Sequence, residues 1–210
     1  MERIKHIVQL FETGLDSEDC VGYHGTSLES MEYIVNNGVL LGRLYGASRE
    51  IYFFPFKSKF QNHPLRDTFP DEHDVIERTS QYAGQNAESH YLIRLLDLDI
   101  ENAKDYVESL MLSEGDYFMD EILKKHPKLG FRRSNLLKII HEAEKRKGFI
   151  LGLNSKVLQS FKIMGSGDIK EGDLKIVCPN GLPYKYLSGI EPLGQEEWDY
   201  LVKIQNSIIQ

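Results

Sequence analysis

The sequence predicts an α+β fold, in which strands and helices are segregated along the chain. Runs of β-branched and aromatic residues lie towards both ends of the 210 residues, whereas helical patterns cluster between them. A doubly wound sheet would instead alternate strands with helices, so the α+β class is favoured. The content of 41% hydrophobic and 27% charged residues is typical of one folded domain, and we expect a single domain over residues 1–210.

The first 38 residues predict a helix, a strand and a second helix. Apolar residues at helical spacing occupy residues 1–12, and a strand pattern follows over 21–26. Thr26 and Glu29 have the spacing of a capping box, which marks the start of the second helix. Gly38 is the expected stop signal for that helix.

The next part of the chain combines a compact strand with a long loop. Residues 51–54 are aromatic and β-branched, and Pro55 closes this strand. Residues 55–79 have no sustained period and are predicted to form an irregular loop; loops of this length are uncommon unless they are functional or mobile. A short helix over 80–87 and a buried strand over 91–96 are expected next.

A helical insertion is predicted over residues 100–147, and its charges are segregated. Residues 97–121 contain nine acidic residues and one lysine, whereas residues 122–150 contain nine basic residues and two glutamates. One interpretation is that two solvated helical faces attract each other; the other is a patch that contacts a phosphate-bearing partner or docks a protein. Strands at 148–153, at 174–178 and near Leu187, with a final amphipathic helix, complete the expected fold.

The overall charge and hydropathy exclude several classes of protein. A net charge of -7 argues against a protein whose whole surface tracks nucleic acid. No run approaches the roughly 18 to 20 apolar residues that a membrane span needs, and the charged N-terminus is unlike a secretion signal. We therefore expect a cytoplasmic protein with no membrane partner.

Common catalytic and metal-binding signatures are absent from the sequence. It contains no P-loop, no nucleophile elbow and no HExxH zinc helix. Cys20 and Cys178 lack the paired spacing of a zinc site, and His63, His73 and His90 are interpreted as surface histidines. No metal site is predicted.

The segment Tyr23-His24-Gly25-Thr26-Ser27 is the feature that points to chemistry. A histidine at the end of a strand can present its ring to a cleft, and a following glycine lets a flat ligand approach the backbone N–H and C=O groups. The alternative is a histidine that caps a turn.

Together with later residues, this segment resembles the ADP-ribosyltransferase superfamily, in particular its poly(ADP-ribose) polymerase and diphtheria-toxin branch. That branch has an HGT strand end, a helix that ends at a glycine, and then a GIYF-like strand. His24, Gly25 and Thr26 match the first element and Tyr52 matches the tyrosine of the strand, whereas Glu50 stands where the branch usually has glycine. The resemblance implies a split antiparallel sheet and NAD as a substrate.

The resemblance also implies roles for individual residues. His24 would hold the ribose on the adenosine side, and Gly25 would anchor the nicotinamide amide through its backbone. Ser80 and Tyr82 are similar to a serine and tyrosine that bind nicotinamide, so Tyr52 and Tyr82 would sandwich the ring.

The carboxylate of the family's His-Tyr-Glu set falls on Asp173, with Glu171 as the other candidate. In the implied reaction, the bond between nicotinamide and ribose breaks through an oxocarbenium-like transition state, which this carboxylate stabilises. Aspartate is one methylene shorter than glutamate, which places its oxygens roughly 1.5 Å farther from the sugar.

Two alternatives remain open. An NAD-dependent RNA 2'-phosphotransferase shares a YHGT strand end, but residues 51–53 lack the histidines of that family and no basic segment precedes residue 20. A non-catalytic module that binds NAD, ADP-ribose or a protein is favoured by Asp173 and by the charged insertion. The acceptor of a transferase is left open as a protein side chain, a nucleic-acid base, a terminal phosphate or water.

Overall fold

The structure is a computed structural model and describes residues 2–45, 48–96, 138, 141–165 and 172–209. In these residues, helices and antiparallel strands combine in an α+β fold, as predicted. The helices are α1 (Glu2–Thr13), α2 (Leu28–Asn37), α3 (Glu72–Leu96), α4 (Lys156–Ser160) and α5 (Gln195–Ile209). The strands are β1 (Cys20–Thr26), β2 (Val39–Leu40), β3 (Arg43–Tyr45), β4 (Ser48–Pro55), β5 (Phe149–Asn154), β6 (Lys162–Gly165), β7 (Leu174–Val177), β8 (Leu182–Pro183) and β9 (Leu187–Pro192).

The main sheet has the strand order β6-β7-β4-β1-β5-β9, and β3 pairs with the beginning of β4. The pairs between neighbouring strands are antiparallel. β1 and β4 are central, yet they share only the pairs Gly22↔Pro55 and Tyr23↔Phe54. β1 then separates from β4 while it stays paired with β5 as far as Thr26. The sheet is therefore divided between β1 and β4.

Each face of the sheet has its own apolar cluster because successive side chains of a strand point to opposite faces. The larger cluster contains Phe53, Leu151 and Ile176 and joins the sheet to α1, α2 and α5. The smaller cluster contains Tyr23 and Phe54, and helix α3 crosses this second face.

Helix α3 corrects the sequence prediction at two points. A single helix runs from Glu72 to Leu96, so the predicted strand over 91–96 is wrong and the predicted helix over 80–87 is a part of a longer one. The irregular segment after β4 consequently ends near residue 71 instead of 79. It contains short 3-10 turns at Lys57–Lys59 and Arg66–Thr68.

The start of α2 also differs from the prediction. Ser27, not Thr26, is the N-cap residue, and its hydroxyl accepts a hydrogen bond from the Ser30 backbone N–H at 3.2 Å. The predicted stop at Gly38 is confirmed, because this residue adopts the left-handed conformation with φ of 80°.

Most of the predicted insertion over 100–147 lies outside the described residues. Its end is described, and there Ala143 is fully buried. Among the described residues, no helix combines the length and the hydropathy needed to cross a membrane.

Candidate functional site

The division of the sheet between β1 and β4 brings His24 and Tyr52 into contact. Nδ1 of His24 lies 2.6 Å from the backbone oxygen of Tyr52. Continuing the register Tyr23↔Phe54 would place Gly25 opposite Tyr52. The histidine ring therefore takes the carbonyl that the Gly25 N–H would bond in an uninterrupted ladder. We call this gap between residues 24–26 of β1 and residues 51–53 of β4 the split.

The contact fixes the tautomer of His24. A carbonyl oxygen only accepts hydrogen bonds, so Nδ1 carries the proton and donates it to Tyr52. Burial lowers the pKa of His24 from its ordinary 6.5, an effect that the bond to Tyr52 partly opposes. The ring is therefore neutral at pH 7, and its Nε2 has a lone pair that can accept a hydrogen bond from a hydroxyl group.

The backbone of Gly25 faces the split on one side and helix α3 lies directly above it. Val21 accepts a bond from the Phe56 N–H at 3.0 Å, which shows that the backbone groups of Val21 point towards β4. Gly25 is four residues later and has the same direction. A Cβ atom on Gly25 would lie 2.5 Å from the Thr79 oxygen and 2.6 Å from the Ala83 nitrogen, so only glycine allows this approach.

Helix α3 also supplies a polar group to Gly25. Nδ2 of Asn86 donates a hydrogen bond to the Gly25 oxygen at 3.0 Å. The donor is a primary carboxamide, the same functional group that nicotinamide carries. The backbone at the split is thus able to bind a carboxamide.

Tyr52 belongs to a polar network on the face of the sheet that α3 crosses. Its hydroxyl donates a hydrogen bond to Oε2 of Glu50 at 2.8 Å. Nζ of Lys175, directly opposite Tyr52 on β7, donates to Oε1 of Glu50 at 2.9 Å. Burial raises the pKa of Glu50, but the bonds from Lys175 and Tyr52 outweigh burial and leave this pKa below its ordinary 4.5.

Asp173 immediately precedes β7, the strand that pairs with the Tyr52 strand. This residue exposes 5% of its surface. The preceding Gly172 has φ of 68°, and a Cβ atom there would lie 2.3 Å from the Thr68 oxygen. The irregular segment after β4 therefore packs beside Asp173. Glu171, the other candidate carboxylate, lies outside the described residues.

The remaining predicted residues are placed differently. The Tyr82 ring packs edge-on against Phe54 at 5.3 Å, on the face of β4 that also carries Tyr52. Ser80 lies two positions earlier on α3, about 200° around the helix, and donates a hydrogen bond to the Ile76 oxygen. The structure therefore does not bring Ser80 to Tyr82. Thr26 is buried at the end of β1 and pairs with Phe149.

Three site residues have no assigned role in the sequence prediction, namely Glu50, Asn86 and Lys175. Glu50 carries a local signal, because residues two apart on a strand share a face and it precedes Tyr52 by two. No local signal identifies Asn86 or Lys175, since their contacts join segments far apart in sequence.

Of the basic stretch 122–150, only Lys138 and residues 141–150 are described. Lys145 bonds Glu142 at 2.7 Å, while Arg146 pairs with Glu196 and lies over the Tyr91 ring at 4.1 Å. These two cations thus have intramolecular partners. No cluster of metal-ligating side chains occurs within the described ranges. Comparison with protein-family models, curated proteins and solved structures found no match for this chain.

Proposed function

We propose that the chain is an NAD-dependent ADP-ribosyltransferase, which breaks the bond between nicotinamide and ribose and passes ADP-ribose to an acceptor or to water. One observation carries the proposal. His24, Tyr52 and Asp173 lie on or beside the three adjacent strands β1, β4 and β7, and the His24 ring contacts the backbone oxygen of Tyr52 at the split. The resemblance to the His-Tyr-Glu branch rests on these same residues.

The geometry supports a role for each residue. The Nε2 lone pair of neutral His24 accepts a hydrogen bond from a ribose hydroxyl. The backbone of Gly25 binds the carboxamide of nicotinamide, as it binds the carboxamide of Asn86. The Tyr52 ring packs against the nicotinamide ring.

The Asp173 carboxylate stabilises the positive charge that develops on the ribose as nicotinamide leaves. The electron pair of the broken bond goes to the nicotinamide nitrogen, which was formally positive in NAD. The acceptor oxygen or nitrogen then bonds to the ribose carbon and loses a proton.

Two observations favour a non-catalytic module of the same kind as a second candidate. Asp173 is buried and is shorter than glutamate, and Asn86 already holds the Gly25 carbonyl. Such a module would bind NAD or ADP-ribose without breaking it.

A nicotinamide-release assay tests the proposal. We expect wild-type protein to release nicotinamide from NAD, and Asp173→Ala to release it about 100-fold more slowly, the order of loss for one electrostatic stabiliser. His24→Ala should also release it more slowly, because a hydrogen bond to the ribose is lost. His73→Ala and Asp199→Ala change exposed residues away from the site and serve as matched controls. The controls should retain wild-type activity.

The same assay separates the two candidates. Equal release by wild type and both site variants contradicts the assigned mechanism. If wild type releases no nicotinamide but binds ADP-ribose in calorimetry, and His24→Ala weakens that binding, the non-catalytic module is supported instead.

A further inference from the structure

Glu50, Tyr52 and Lys175 form one connected network across two strands. Tyr52 and Lys175 are a directly opposed pair of the antiparallel strands β4 and β7, and Glu50 is two residues before Tyr52 on the same face. Both carboxylate oxygens of Glu50 are used, one by each partner. The phenol is thus held at its hydroxyl by a carboxylate that is itself held by an ammonium group.

The network is largely excluded from water. The side chains of Glu50 and Lys175 expose 9% and 17% of their surfaces. Desolvating an ion pair is costly, and apolar side chains of similar size often give equal or higher stability at such positions. The buried pair of Glu50 and Lys175 is therefore weak support for a purely stabilising role. An apolar replacement could not, however, hold the Tyr52 hydroxyl in one orientation.

The network lies next to the split, so it orients the Tyr52 ring at the place where a ligand would bind. The Tyr52 carbonyl meets His24 inside the split, while the Tyr52 side chain is anchored on the face that α3 crosses. Packing between aromatic rings depends on their relative orientation, and it contributes to binding in addition to the burial of area. An anchored ring is already arranged for a flat ligand, whereas a free ring loses entropy when the ligand binds.

We propose that Glu50 and Lys175 are positioning residues that hold the Tyr52 ring in the orientation in which it packs against a flat aromatic ligand. The inference rests on the proposed function, because the ligand it names is the nicotinamide ring of NAD. Glu50 acts directly through the phenol hydroxyl, and Lys175 acts through Glu50.

The kinetic test compares Glu50→Ala, Lys175→Met and Tyr52→Phe with wild type in the nicotinamide-release assay. We expect each change to raise KM for NAD about 3- to 10-fold and to alter kcat less than KM. The reason is that each change weakens the packing of the Tyr52 ring against bound NAD. The double variant Glu50→Ala/Tyr52→Phe should be no worse than the poorer single variant. Lys175→Arg, which retains a cation, should restore most of the affinity.

A second measurement does not depend on activity. Protein labelled with 13C at tyrosine gives one ring signal from Tyr52, which is assigned by its loss in Tyr52→Phe. We expect this signal to shift and its ring flips to become faster in Glu50→Ala and Lys175→Met. Glu142→Ala breaks the exposed pair with Lys145 and is the matched control that should leave the signal unchanged.

The results distinguish a failure of the positioning role of Glu50 and Lys175 from a failure of the proposed function. If Glu50→Ala does not fold, Glu50→Gln replaces it, because glutamine keeps an acceptor for the phenol. Glu50→Gln weakens only the contact with Lys175, so we expect a smaller shift of the Tyr52 ring signal. An unchanged Tyr52 signal in the folded Glu50 and Lys175 variants, or an unchanged KM in an active enzyme, overturns the positioning role. If wild type releases no nicotinamide, the proposed function fails, and the Tyr52 signal alone decides whether the network positions the ring.

Discussion

At Gly25, helix α3 approaches the backbone of strand β1 closely. The backbone of α3 occupies the space that a side chain at this position would need. The same approach brings the Asn86 carboxamide onto the Gly25 oxygen. A single missing Cβ atom therefore determines both the packing of the helix and the polar character of the split.

A pair of glycine substitutions tests this close approach. Gly25→Ala should lower the free energy of unfolding by about 1–3 kcal/mol, because backbone atoms of Thr79 and Ala83 must move. Gly84→Ala is the matched control: a Cβ atom at this position of α3 would meet no atom within 4 Å apart from the adjoining helix backbone, and alanine there should stabilise by about 0.5–1 kcal/mol. Urea denaturation of both variants measures the difference. Equal effects would contradict the close packing of α3 on β1.

Helix α2 is tied to helix α3 through one hydroxyl group. Ser27 caps α2 through the Ser30 N–H, and its Oγ lies 2.5 Å from Nδ1 of His90 on α3. Ser27 is fully buried. One side chain therefore satisfies a helix terminus and a half-buried imidazole at the same time.

Ser27→Ala should lower the free energy of unfolding by about 1–2 kcal/mol, since the cap is lost and His90 loses a buried partner. Ser207 is an exposed residue of α5 whose hydroxyl bonds only the Ile204 oxygen of its own helix among the described contacts, and Ser207→Ala should change stability by less than about 0.5 kcal/mol. Thermal or chemical denaturation gives both values. Equal losses in the two variants would contradict the capping role.

Elements with a strong local pattern could be predicted from the sequence. The apolar face and the glycine stop of α2 lie within a few residues of each other, and so do the aromatic residues of β4. The segment 91–96 misled the prediction because a short apolar run does not by its pattern distinguish a buried strand from a buried part of a helix. The preceding turns of α3 pack on β1, and the helix continues through the segment. At the candidate site, the motif singled out His24 and Tyr52, and the structure shows the His24 ring in contact with the Tyr52 backbone oxygen. The register that opposes Tyr52 and Lys175 could not, because it depends on pairing between distant strands.

The stability of the whole molecule should depend on pH through its half-buried histidines. Burial lowers the pKa values of His6, His24 and His90 from 6.5, with Glu29 partly opposing this for His90. The unfolded chain therefore binds protons more tightly than the folded protein does. The histidines therefore do not lower the free energy of unfolding above pH 6.5, where their rings are neutral in both states. The free energy of unfolding falls as the pH drops from 6.5 through the pKa values that these histidines have in the folded protein.

We expect the thermal midpoint to fall between pH 7 and pH 5, and His90→Gln or His24→Gln to reduce this dependence. Asn206→Ala changes an exposed residue that carries no ionisable group and should leave the slope as in wild type. A second loss of stability should appear as the pH falls from 4.5 through the lowered pKa of Glu50 in the folded protein. Protonation of Glu50 in this range weakens its bonds to Lys175 and Tyr52. A midpoint that is constant from pH 7 to pH 5 would contradict the role of the histidines.

The split also has a mechanical consequence for the molecule. Two residue pairs, Gly22↔Pro55 and Tyr23↔Phe54, join β1 to β4 on one side of the split, and the His24 side chain spans the gap beyond them. These pairs hold β1 and β4 together at one end of the split, while β1 stays paired with β5 and β4 stays paired with β7. A flat molecule that widens the gap therefore has to break the contact between the His24 ring and the Tyr52 oxygen. The hydrogen-bond ladders within each half of the sheet stay intact.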